Sequence, residues 1–242
     1  MSFAKALRNY RIATLILLTL LVAVCIHERY IQRAYNRLFV PPPPPFRYTD
    51  NTHFFEEKDF NTLYHSQPQI VMFGNSMMKK MNWDELLGRE DVINRGVNVD
   101  ITDGMVARID EVIALRPKII FIEGGINDVD NGVSRDHILS NYRELVNRIK
   151  AAGIVPVINA VNQVCDFYPE SKTVNASIRT LNTGLHALAT ETGVAIIDLN
   201  PQLAPQGELR PEFARGDGCH LTSKAYRIWK AAIELQLTTN KI

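Results

Sequence analysis

Cysteine is scarce in this chain. Three among 242 residues, at positions 25, 165 and 219, are too few for a disulfide-built scaffold, and Cys25 lies inside an apolar run that is no place for a structural bridge. That leaves Cys165 and Cys219 as one pair that an oxidising compartment could join. No CxxC and no Cys/His cluster with metal-ligand spacing occurs, and the six histidines are scattered, so no metal site and no cofactor is expected. An excess of charge of one sign is missing too. With 27 basic against 26 acidic residues the net charge is +1, which provides no global field to draw in nucleic acid or acidic polymers. Any partner has to be met by a local site. The length allows one domain and an appendage.

The appendage comes first. A basic segment over 1–11 carries Lys5, Arg8 and Arg11 and precedes the run IATLILLTLLVAVCI at 12–26, which has no charge. This fits a signal peptide or a signal anchor. No small-x-small cleavage site ends the run, so an uncleaved transmembrane anchor over 12–30 is the favoured reading, with Tyr10 and Tyr30 at its two interfaces and secretion after cleavage as the alternative. Arg29, Arg33 and Arg37 follow at four-residue spacing and line one helical face toward lipid headgroups. A juxtamembrane stretch over 31–50 includes five consecutive prolines at 41–45, which favour an extended polyproline II spacer. The domain proper then runs over 51–242. Its expected location is outside the cytoplasm at a bacterial inner membrane.

From residue 68 onward, short β-rich apolar runs alternate with longer helical ones, the signature of a parallel α/β sheet. Strands are predicted at 69–73, 91–94, 118–122, 154–159 and 194–199, and helices at 84–87, 102–115, 134–152, 174–192 and 223–237. Thr102 and Ser134 are natural N-caps, and Gly153 and Gly193 sit where C-terminal glycines belong. Five strands covered on both faces make a three-layer α/β/α sandwich of flavodoxin-like strand order. Such sheets bind ligands at the carboxyl ends of their strands, so the residues after each strand matter most.

After the first strand comes Gly74-Asn75-Ser76-Met77, with a serine on the strand-to-helix turn. After the second comes Asn94-Arg95-Gly96, whose glycine lets a backbone N–H approach a ligand. The third leads into Gly124-Gly125-Ile126-Asn127-Asp128, and Asp217-Gly218-Cys219-His220 precedes the last helix. A serine hydroxyl is a weak nucleophile until an imidazole takes its proton, and a carboxylate must hold that imidazole in the right tautomer. His220 and Asp217 suit those parts. A developing oxyanion needs fixed donors, for which the N–H groups of Ser76 and Gly96 and the Asn127 amide are candidates. Asp128 has a capping reading instead. Trp83 and Arg95 could line a substrate pocket, the one as a stacking face and the other as a carboxylate partner.

These four blocks, GNSM at 74–77, Gly96, GIND at 125–128 and DGCH at 217–220, resemble the markers of the SGNH/GDSL hydrolase family in order, across residues 68–237. The resemblance implies the SGNH fold, a Ser76–His220–Asp217 triad, and an oxyanion hole from Ser76, Gly96 and Asn127. It is nearest the carbohydrate acetylesterase and platelet-activating-factor-acetylhydrolase-like branches. It therefore implies a cofactor-free esterase that removes a short acyl group, acetyl above all, from a small-molecule or glycan ester. A lysophospholipase or thioesterase is the alternative within the class, and a non-catalytic, membrane-anchored sugar-binding module the alternative outside it. Asn75 and Met77 stand where the family name has aspartate and leucine. Val99 stands where related carbohydrate esterases often have a second glycine.

Overall fold

The computed structural model describes residues 3–39, 46–64 and 66–242. The proline run at 41–45 and His65 lie outside the described residues, as do the side chains of Tyr30, Arg29, Arg33 and Arg37. The chain divides into two compact units at Pro44/Pro45.

The first unit is one helix, α1 (Phe3–Phe39), whose leucines over 12–26 are exposed, Leu17 by 72%. Among the described residues no helix is long and apolar enough to cross a membrane. The expected transmembrane span over 12–30 is thus corrected to an exposed apolar helix. The physical reason is length. Fifteen charge-free residues rise about 23 Å, against a hydrocarbon core of roughly 30 Å.

The second unit is built on five parallel strands, β1 (Ile70–Gly74), β2 (Val92–Gly96), β3 (Ile119–Glu123), β4 (Val155–Asn159) and β5 (Ala195–Ile197), in the order β2-β1-β3-β4-β5. This is the predicted three-layer sandwich. Around the sheet lie α2 (Thr52–Asn61), α3 (Ser76–Lys79), α4 (Trp83–Leu87), α5 (Thr102–Ile113), α6 (Ile126–Asp130), α7 (Arg135–Ala151), α8 (Ser171–Thr192), α9 (Asn200–Leu203) and α10 (Ser223–Thr239). Alternation along β1 shows how the layers form. Ile70 and Met72 pack with Trp83, Tyr226 and Trp229 on the α4/α10 face, while Val71 and Phe73 pack with Met105, Ile109 and Tyr142 on the α5/α7 face. Each central strand is buried on both faces, which is why these runs read as continuously apolar.

Ser134 caps α7 as expected, accepting the His137 N–H. Thr102 does not cap α5. Ile101 holds that position, and the Asp128 carboxylate reaches across to accept both the Thr102 N–H (3.0 Å) and its hydroxyl (2.5 Å). Asp128 is therefore structural. The short helices α3, α6 and α9, of four or five residues, leave too little periodicity in the sequence to be seen.

Among the described residues three carboxyl groups are buried near the carboxyl edge of the sheet, Asp100 beside Arg108 and, without a cationic partner, Glu123 and Asp128. Burial pushes Glu123, at the end of β3, up to about 8, with the Asn75 amide pulling the other way. Asp128 is raised to about 6, again by burial and against its bonds to Thr102. Folded protein therefore holds protons that the unfolded chain would release above the ordinary values of 4.5 and 3.8. Stability falls as pH rises through this window. Glu123 is the group that contributes to this slope up to about pH 8. Glu123→Gln is expected to flatten the fall in melting temperature between about pH 6 and 8; a folded variant with the wild-type slope would show that Glu123 does not titrate there.

Candidate active site

The loops at the carboxyl ends of β1, β2 and β3 and the segment before α10 converge on Ser76. Asn75 is the N-cap of α3: fully buried, it accepts the Met77 N–H on Oδ1 at 2.8 Å and turns the chain so that Ser76 opens the helix. Among the described residues the Ser76 N–H has no partner, as suits a first helical position. His220 Nε2 stands 2.9 Å from Ser76 Oγ, and His220 Nδ1 stands 2.7 Å from Asp217 Oδ2. Asp217 Oδ1 also accepts the N–H groups of Cys219 (3.0 Å) and His220 (2.8 Å). Burial alone would raise this carboxyl. The two N–H groups and the imidazole override it and hold Asp217 at about 2. An ionised Asp217 keeps the ring proton on Nδ1 and leaves the Nε2 lone pair facing the serine.

Asn127 lies in α6, whose entry needs Gly125 at φ 120°. Its side-chain amide donates one hydrogen to the Asp100 carbonyl at 2.8 Å. That bond fixes the group and leaves the second hydrogen free.

Three sequence expectations change. The Gly96 N–H is taken by Asn94 Oδ1 at 2.8 Å, so Gly96 is not a free oxyanion donor. Its smallness has another use: a Cβ there would lie 2.2 Å from the Lys79 nitrogen, so only glycine lets α3 sit against β2. Trp83 is 1% exposed, donates its indole N–H to the Met78 carbonyl and packs edge-on against Tyr226 and Trp229, which makes it core and not pocket. Arg95 neighbours Phe73 in the sheet register and so emerges on the α5 face, opposite Asn94, whose amide holds the carbonyls of Met78 and Met81.

Cys165 and Cys219 are free thiols. Their loops are joined through the backbone, Cys165 N–H to the Gly218 carbonyl at 2.7 Å, and burial pushes the Cys219 thiol up to about 12. His137 and His186 make peripheral contacts with Asp103 and Asp198.

Val99 is what residue-by-residue reading missed. It adopts φ 59° in the tight turn closed by Asp100 N–H to the Val97 carbonyl, its side chain is 45% exposed, and its N–H has no partner among the described residues. A β-branched residue in the left-handed region is strained by about 1–3 kcal/mol. The signal was the missing glycine in NRGVNVD. Val99→Asn, which suits that conformation, is expected to raise unfolding free energy by about 1 kcal/mol in denaturant titration; no gain would show that the turn carries no strain.

The model of the GDSL-like lipase/acylhydrolase family matches residues 75–228, more than half of the chain. No curated protein sequence matches. Among solved structures, a GDSL-like lipase from Bacteroides thetaiotaomicron is 22% identical, with 77% of this chain and 97% of that one covered at a TM-score of 0.68. An acetyl xylan esterase is 17% identical over 69% and 98% at 0.59, and a lipase/acylhydrolase from Enterococcus faecalis 20% identical over 70% and 95% at 0.58. At these identities the structures show a shared fold. The family match goes further: the chain belongs to the GDSL-like lipase/acylhydrolase family and is a carboxylic ester hydrolase.

Proposed function

We propose that the chain is a serine esterase that removes a short acyl group, acetyl above all, from a carbohydrate by way of an acyl-serine intermediate. The observation that carries this reading is the hydrogen-bonded chain Ser76–His220–Asp217. Ser76 Oγ attacks the ester carbonyl carbon while His220 Nε2 takes its proton. The bond to the leaving alcohol then breaks, and His220 returns the proton to it. Water attacks the acyl-serine in the same manner and frees the acid. The oxyanion formed in each half is met by the N–H groups of Ser76 and Val99 and by the free Asn127 hydrogen, each donor supplying roughly 3 kcal/mol.

One feature favours a sugar ester. Phe167 is 54% exposed and lies against Gly218, between Asp217 and His220, where its ring can meet the face of a sugar. The similarity to an acetyl xylan esterase agrees with this.

With p-nitrophenyl acetate and octanoate as substrates, acetate is expected to be turned over far faster. Ser76→Ala should lose at least about 10⁴-fold in kcat, and Asn127→Ala about a hundredfold with KM little changed. Octanoate as the better substrate would favour a lipid ester, and no hydrolysis of either by folded wild type would leave a sugar-binding module.

We also propose that α1, through its exposed apolar face, keeps the enzyme at a membrane with the catalytic unit outside the cytoplasm. Expressed full chain is expected in the membrane fraction after a carbonate wash, and a variant lacking residues 1–44 in the supernatant. Identical partitioning of both would remove this role from α1.

A further inference from the structure

Arg95 is 9% exposed, yet among the described residues no carboxylate lies within ion-pair distance of its guanidinium. Among the described residues its one hydrogen bond is a long one of 3.2 Å from Nη1 to the neighbouring Asn94 carbonyl, and its guanidinium lies over the Tyr64 ring, 5.6 Å from the centroid. Most of its five N–H donors are unspent. Burying a cation without a counter-charge is costly, so the surroundings of this one are informative.

Arg95 lines a cavity of about 190 Å³ between the end of α2, β2 and the last turns of α5, with Lys58, Asn61, Thr62, Arg108 and Glu111. The balance of charge there is positive. Arg108 is fully engaged by Asp100 and by the carbonyls of Arg95 and Gly74, and Glu111 is paired with Lys58 at 3.0 Å. Glu57, the other acid that acts on Arg95, is paired with Lys79 at 2.6 Å. Among the described residues no acid remains to pair with Arg95. The Asn61 amide and the Lys58 ammonium add donors at the rim.

We propose that this cavity, on the face of the sheet opposite α3, is a binding site for a phosphate-type dianion, free or as the phosphomonoester end of a larger molecule. The Arg95 fork would hold two of its oxygens, and Lys58 and Asn61 would close the rim. The site does not depend on the esterase reading, because Arg95 points away from Ser76. It does share a strand with it: Arg108 grips the Arg95 carbonyl and the Gly74 carbonyl together, so an occupied cavity would stiffen the base of the nucleophile turn.

Thermal unfolding of the full chain tests this, with inorganic phosphate, glycerol 3-phosphate or acetate added at constant ionic strength. Inorganic phosphate is expected to raise the melting temperature with the logarithm of its concentration above Kd, by about 3–6 °C at ten times its Kd. A larger rise with glycerol 3-phosphate would identify the phosphomonoester as the source, and an equal one the free ion. Arg95→Met should abolish the rise while retaining wild-type hydrolysis of p-nitrophenyl acetate. Should that variant not fold, Lys58→Met, whose side chain is half exposed, should weaken phosphate about tenfold. No rise in wild type, the same rise in the variants, the same rise with acetate, or loss of hydrolysis in folded Arg95→Met would each overturn the proposal.

Discussion

The carboxyl edge of the sheet is organised by one buried side chain, Arg108 of α5. Its guanidinium donates to the Asp100 carboxylate, to the Arg95 carbonyl of β2 and to the Gly74 carbonyl of β1, and it lies over the Phe73 ring at 4.2 Å. A strand that ends at a catalytic turn leaves carbonyls without a next strand residue to bond, and buried carbonyls need partners. Arg108 meets two of them with one planar fork. Burial raises the Asp100 carboxyl and the arginine opposes that rise, so each charge is tolerable because of the other. The Asp100 carbonyl in turn holds the Asn127 amide. The Ser76 turn, the loop after β2 and the Asn127 amide are therefore linked through a single ion pair.

The same economy explains the departure at position 75. The nucleophile turn lies directly beside the buried Glu123, whose carbonyl accepts the Asn75 N–H at 3.3 Å and whose carboxyl is held neutral by burial. An aspartate at 75 would bring a second carboxylate into a site that already keeps one protonated. An amide caps α3 equally well through its oxygen and carries no charge. The asparagine is thus matched to its neighbour on β3.

How much of this was legible in the sequence depended on the range of the interaction. Strand order and helix placement follow from apolar periodicity, which is written locally, and β1 to β4 begin within one residue of their predicted positions. Ser76, Asn127, Asp217 and His220 could be found because each lies at a strand end or before a helix, and the structure brings all four to one edge. The errors concern direction. Whether Arg95 faces α3 or α5 depends on strand parity, and the rings that cover Trp83 and make it core, Tyr226 and Trp229, come from some 140 residues away. Gly96 was assigned a donor that Asn94, two residues earlier, consumes. No spacing rule reveals that.

Replacing a glycine by Val99 has a consequence for the chemistry. A left-handed turn aims successive N–H groups into one concavity, which is how backbone amides collect around an anion. Val99 keeps that geometry at the cost of strain and adds an exposed isopropyl group to its turn. Phe167 stands against Gly218, between Asp217 and His220. In the proposed esterase, Ser76 would thus have apolar surface on the loops to either side of it and fixed donors between them. Donors that meet charge only as it develops on the carbonyl oxygen would accelerate the reaction without tightening the hold on the substrate.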